Sequence, residues 1–278
     1  MRYYGTAEQT AEAILEAFKN PSALPKALAP IFIRRNDGVP CRKWSWRNQL
    51  IVALNGHSDA RGFRQWQRVG RKVSKGERAF YILSPVTKKV KNEDDEESVV
   101  IVGYRSIPVF GFEQTEGEPL PSVSTDTEKE WIESLPLVEV ATAWGLSIDT
   151  YEGRCGQALG VYTLGRGIAL GVENLSTWAH EMVHAADHKN GTLKVNGGRI
   201  APEIVAEFGA AILLTVLGRD ADADLGGCYE YLTAYARKAD VDVVSACGAL
   251  LDRSCRAVAA ILDAAEHIGA IRSDNAAT

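Results

Sequence analysis

The run His180-Glu181-Met182-Val183-His184 sets two imidazoles four residues apart, with a carboxylate beside the first. On a helix, residues at i and i+4 share a face, so both rings reach one metal ion. Glu181 is then placed to act on water activated by that ion. A tetrahedral zinc site needs a third protein ligand, and a catalytic one leaves its fourth position to water. The five cysteines, Cys41, Cys155, Cys228, Cys247 and Cys255, include no pair at ligand spacing. The third donor is expected in the apolar stretch from Ile200 to Leu214, where Glu203 and Glu207 stand at i and i+4. Carboxylates on one face of a helix that reads as buried each demand a partner. The metal serves for Glu203 and the N–H of a ligand imidazole for Glu207. The bland alternatives are an ordinary amphipathic helix for the histidines and a wet helix face for the glutamates.

Three elements must position these groups. Ser176 to His188 is predicted as the helix that carries the histidines, ended by Asn190-Gly191. The glutamate helix has Pro202 in its first turn and Gly218 as its stop. Upstream, Leu159 to Gly171 alternates like two short strands joined at Gly165-Arg166-Gly167. Tyr162 in the first of these either packs or offers a phenol to a tetrahedral intermediate.

A His-Glu-x-x-His helix followed by a helix with Glu203-Ile204-Val205-Ala206-Glu207 resembles the gluzincin-type metallopeptidases. The chain looks most like ArdC-type antirestriction proteins, and the resemblance extends over nearly its whole length. It implies a single-stranded-DNA-binding domain joined to a zincin-like metallopeptidase domain. By that resemblance His180, His184 and Glu203 are the metal ligands, Glu181 is the general base, and Glu207 supports a ligand histidine. After His184 the chain reads Ala185-Ala186-Asp187-His188, without the Gly and more distant His of a metzincin-type ligand set. His188, one further turn along the same face, is therefore expected outside the ligand sphere or at an anion, with ligation as the alternative. In zincin-like folds the strand before the metal helix edges the cleft, where an extended peptide adds by backbone pairing.

With 46% hydrophobic and 24% charged residues, 278 residues suffice for one large or two modest domains. No apolar run of membrane-spanning length occurs, and Met1-Arg2-Tyr3-Tyr4 does not open a secretory signal. A cytoplasmic protein without membrane partners is expected. The odd, scattered cysteines argue for reduced thiols. The formal charge of −5 hides an asymmetry: residues 1–92 hold 18 Lys+Arg against 6 Asp+Glu, and residues 93–278 hold 13 against 30. The first part should attract polyanions.

Within that part, Thr6 to Phe18, Cys41 to Leu54 and Ala60 to Val69 are predicted helices. Ala79–Pro85 and Ser98–Phe112 are predicted strands of one hairpin across the acidic tip Lys91 to Ser98. Glu116 to Ser122 reads as the linker. The expected architecture is α+β with two domains: residues 1–120, basic, with a β-hairpin, and residues 121–278, zincin-like. Further on, Val138–Trp144 suggests a helix or strand, and Cys228–Ile268 is mostly helical.

Single strands are held by cations tracking phosphates and aromatic faces stacking on bases. Cations and rings interleave between residues 42 and 78. The candidate contacts are Arg42, Lys43, Trp44, Trp46, Arg47, Asn48, Arg64, Trp66, Arg68, Arg71, Lys72 and Lys75. Of these, the resemblance supports Trp46-Arg47-Asn48 and the Gly70 to Gly76 segment best. A duplex-reading helix-turn-helix would carry less tryptophan and a clearer recognition helix. For each tryptophan the alternative is a place in the core.

The function these readings favour is an antirestriction-type protein of plasmid or prophage origin. It would bind single-stranded DNA and use one Zn²⁺ per chain, or another divalent ion, to hydrolyse an unknown protein substrate. Two alternatives remain: a DNA-binding antirestriction protein whose metal module is structural, and a zinc peptidase whose basic domain recognises a protein.

Overall fold

The computed structural model describes residues 2–4, 6–19, 23–33, 38–91, 97–120, 137–150, 159–171, 175–193, 200–219 and 228–276. Helix and strand are mixed, and the chain is α+β. The basic part opens with β1 (Arg2–Tyr4), α1 (Ala7–Phe18) and α2 (Ala23–Ile33). After a 3-10 turn at Pro40–Lys43 comes α3 (Trp46–Leu54), whose N-cap Ser45 accepts from the backbone N–H of Asn48. Next are β2 (Ala60–Arg61), α4 (Phe63–Arg68) and β3 (Arg71–Val73), then the hairpin β4 (Phe80–Lys91) and β5 (Glu97–Gly111). Strand β6 (Thr115–Gly117) follows a second 3-10 turn.

The expected hairpin is present: β4 and β5 run antiparallel from Phe80↔Val109 to Lys91↔Glu97, with a register shift between Val86 and Thr87. Three expectations need correction. The single helix expected over Ala60–Val69 is a two-residue strand followed by α4, because Ala60 and Arg61 pair with Gly111 and Phe110. The helix expected from Cys41 is broken at Trp44-Ser45, where Ser45 is spent as a cap. The expected linker begins as structure, since Thr115–Gly117 pairs with β3; its end at Pro121-Ser122 lies outside the described residues. Helix α2 has no counterpart among the elements expected from the sequence; it holds Pro25 in its first turn, where no helical N–H is needed, and Pro30 in its interior.

The second part has α5 (Leu137–Ala143) and strands β7 (Ser147–Thr150), β8 (Gly160–Thr163) and β9 (Gly167–Leu170), ordered β7-β9-β8. Strands β8 and β9 form the expected antiparallel pair around Gly165, whose φ of 66° suits glycine. Four helices complete it: α6 (Leu175–Lys189), α7 (Ile200–Val216), α8 (Cys228–Lys238) and α9 (Val243–Ala276). None of the described helices is long and apolar enough to cross a membrane.

One hydrophobic core runs through both parts. Leu24, Leu28 and Phe32 of α2 join Val205, Phe208 and Ile212 of α7 in it, and the Phe18 and Phe208 rings lie 5.1 Å apart. Helix α1 packs on α9 and α2 on α7. The compositional boundary near residue 120 is thus crossed by packing. It is also crossed by charge: Arg47 Nε lies 2.8 Å from Asp252 Oδ2 of α9, a charge contact and not an aligned hydrogen bond. Gly248 leaves room for that arginine, because a Cβ there would sit 3.0 Å from Arg47 Cδ.

Candidate metal centre

Helices α6 and α7 approach closely because position 209 is glycine. A Cβ there would lie 2.7 Å from Val183 Cγ1, one residue before the second histidine. The approach brings one ligand atom each from His180, His184 and Glu203 within 4.8 Å of one another. His180 Nε2 is 3.3 Å from Glu203 Oε2, and His184 Nε2 is 3.7 Å from Glu203 Oε1. Ligands bound at 2.0–2.1 Å in a tetrahedron stand about 3.4 Å apart, so these separations suit one small divalent ion. Two imidazoles and one carboxylate also make the donor set of a zinc site with an open position.

The electrostatics agree with that use. The His180 and His184 imidazoles hold the Glu203 carboxyl well below the usual carboxylate range, against its partial burial. Burial disfavours charge on His180, but Glu203, Glu181 and Glu207 outweigh it and raise its pKa. The glutamates differ from expectation in burial: the Glu203 side chain is 60% exposed and Glu207 is half-buried. Their face of the otherwise buried α7 opens to solvent at Glu203 and His180, so the candidate site is a mouth and not a sealed pocket. Glu207 acts on His180 through its charge. His184 Nδ1 is buried without a hydrogen-bond partner, so Glu207 does not bond that nitrogen.

Glu181 is buried, and burial pushes its pKa up, partly offset by the two histidines. The backbone N–H of Tyr162 in β8 donates to its carboxylate. Gly160 makes that seating possible: a Cβ there would lie 2.8 Å from Glu181 Oε1 and 2.5 Å from Thr177 Cγ2. The sequence leaves Tyr162 either packing or offering its phenol, whereas here its backbone serves Glu181. The phenol is engaged elsewhere, 2.8 Å from His188 Nδ1 and accepting from Gly165 N–H at 2.9 Å. His188 thus turns to Tyr162 and is not among the clustered ligands.

No protein-family model matches the chain, and no curated protein matches it. Among solved structures it is similar to the ArdC antirestriction protein of plasmid R388. The metal-free form has a TM-score of 0.49 and 20% identity, over 79% of this chain and 82% of that one. The Mn(II)-bound form has a TM-score of 0.48 and 18% identity, over 91% and 98%.

Asp187 is more than a helix-end residue. It is 1% exposed and ion-paired with Arg253 of α9, whose Nε donates to Oδ1 at 2.8 Å and whose Nη2 donates to Oδ2. The Thr192 hydroxyl donates to Oδ1 as well. The C-terminal end of the metal helix is therefore pinned by α9. A lone Asp-Arg pair in the apolar spacing of α9 is the only trace of this in the sequence.

Four residues read as nucleic-acid contacts are instead spent inside the fold. Trp66 is fully buried, with its Nε1–H donating to Phe110 O at 2.9 Å. Asn48 is buried and makes a two-way bond with the Leu83 backbone, 2.8 Å in each direction. Arg71 is buried; it donates to Thr115 Oγ1 at 2.8 Å, to Thr115 O at 2.7 Å and to the Gly117 and Glu118 carbonyls, fastening β3 to β6. Arg47 pairs with Asp252 and donates to the Tyr104 hydroxyl at 2.9 Å. Buried polar groups must be bonded, and these side chains meet that need for their neighbours. Trp46 stacks on Phe32 with centroids 4.4 Å apart, and Trp44 packs half-buried on the core. Arg42 is half-buried; Lys43, Arg64, Arg68, Lys72 and Lys75 are exposed.

Proposed function

We propose that this chain is an antirestriction-type protein of the ArdC kind. In this reading it binds single-stranded DNA through its basic N-terminal part and carries a zinc metallopeptidase-like site on α6 and α7. The observation that carries the hydrolytic half is the convergence of His180, His184 and Glu203 within 4.8 Å beside the buried Glu181. The antirestriction half follows from the resemblance of the motif pair and of the basic part, and from the exposed cations that remain after the fold has used its share.

A zinc ion held by the three donors supplies a Lewis acid for a peptide carbonyl and makes nearby water more acidic. The chain's own groups do the remainder. Glu181 takes the proton of the attacking water and passes it to the leaving amine. Tyr162 N–H and the bare Cα of Gly160 keep the carboxylate aimed. Among the described residues β8 ends its sheet, and an extended peptide can pair along the part of that edge that Glu181 does not occupy. A site meant only for structure would close its fourth position with protein and would have no use for Glu181.

Metal analysis of the purified chain tests the reading. About one zinc per chain is expected, with manganese measured alongside, and His180→Ala, His184→Ala and Glu203→Ala should each lower occupancy sharply. Glu181→Gln should keep the metal and abolish cleavage of a quenched-fluorescent peptide library. Full occupancy in Glu203→Ala would remove the third ligand from the site, and native-rate cleavage by Glu181→Gln would remove the base.

A further inference from the structure

The aromatic rings best placed to meet a nucleic acid are not the tryptophans. Phe63, at the start of α4, is 51% exposed, and its ring lies edge-on to Phe110 of β5 at 6.3 Å. Two residues along β5, Pro108 stands opposite Tyr81 of β4, which is 38% exposed. Residues two apart on a strand share a face, as do residues directly opposite on antiparallel neighbours. Phe110, Pro108 and Tyr81 therefore line one face, and Phe63 extends the row at the Phe110 end. The steps are about 7 Å along the strand and about 5 Å across it, separations that flat, base-sized groups can bridge.

The cations divide in the same place. Arg47, Arg61, Arg71 and Arg253 are each paired within the fold. Arg64, Arg68, Lys72, Lys75 and Arg78 are exposed, and none has an ion-pair partner among the described residues. Arg64 adjoins Phe63 and Arg68 follows one turn later on α4, while Arg78 precedes β4 by two residues. Exposed aromatic rings bordered by unneutralised cations form a surface complementary to unpaired bases on a phosphate chain.

We infer that Phe63, Phe110 and Tyr81 form the platform on which successive bases of a single strand stack, with Arg64, Arg68 and Arg78 taking its phosphates. This rests on the single-strand reading above and names its contact surface. Paired bases hide their faces within the duplex stack, so the platform favours single strands.

The test uses the full-length protein and fluorescent oligo-thymidine of about twenty nucleotides, longer than the ~16 that one binding module can occupy. Binding is followed by anisotropy over a salt series, with a duplex of equal length as comparator. Phe63→Ala and Tyr81→Ala should each weaken binding by about five- to a hundredfold at every salt concentration. The slope of log affinity against log salt should stay unchanged, because neither ring carries charge. Phe63→Trp and Tyr81→Phe should bind like the native protein, and Arg64→Glu with Arg78→Glu should flatten the slope. Both rings are exposed, so the melting temperature of each variant should match the native value. A folded Phe63→Ala/Tyr81→Ala variant that binds within about twofold of the native protein overturns the platform while leaving single-strand binding intact. Native protein that does not bind the oligonucleotide even at low salt overturns the single-strand reading itself.

Discussion

Replacing Arg253 with Met removes a charge from α9 while keeping most of the side chain's bulk, and leaves Asp187 of the metal helix 1% exposed without its counter-ion. Removing one partner of a buried pair costs about 3–5 kcal/mol, because the remaining charge is stranded in a poorly solvating environment. Here both carboxylate oxygens lose an Arg253 donor, while Oδ1 keeps the Thr192 hydroxyl. The partial compensation puts the expected loss at the lower end, about 3 kcal/mol. Urea unfolding of metal-free native and Arg253→Met protein, followed by circular dichroism, measures it as a lower midpoint at unchanged slope. Asp187→Leu/Arg253→Met removes both charges and should recover part of the loss, since apolar replacement of a buried pair is often near neutral. A single variant within about 0.5 kcal/mol of native, the range of an ordinary surface substitution, would refute the claim that this pair pins the metal helix.

Two more outcomes follow from the site. In the metal-free protein Glu203 has a lowered pKa and His180 a raised one. The glutamate's contribution to stability is present above its ordinary value of 4.5 and is lost as pH falls toward its lower folded-state value. The histidine's is complete below 6.5 and is lost as pH rises through its higher folded-state value. The stability that this contact contributes, measured as the melting-temperature difference between native apoprotein and Glu203→Gln, should therefore be greatest between pH 4.5 and 6.5 and shrink on either side; a difference that does not vary with pH would deny the contact. Gly209→Val should force α6 and α7 apart at Val183, costing about 1–3 kcal/mol by overpacking and loosening zinc affinity, which competition with a chromogenic chelator reads directly.

The clustering of His180 and His184 was legible from sequence because its information is local. Four-residue spacing on α6 puts His180 and His184 on one face whatever surrounds them, and Glu203 and Glu207 announce themselves as charges in an apolar helix. The β4–β5 hairpin and the β8–β9 pair were equally legible, since alternation and turn glycines act over a few residues. What sequence could not determine is which polar side chains the fold would consume. Arg47, Asn48, Trp66 and Arg71 have the composition of a nucleic-acid surface, yet their partners are Asp252, Leu83, Phe110 and Thr115, as far as 205 positions away along the chain. An arginine beside a tryptophan reads alike whether it faces a phosphate or a buried carbonyl, and only tertiary packing, which decides where water is excluded, separates the two. The same holds for Gly160 and Gly209, unremarked in the sequence and required by the fold: each marks a place where two elements approach too closely for a Cβ, a distance set by the whole core.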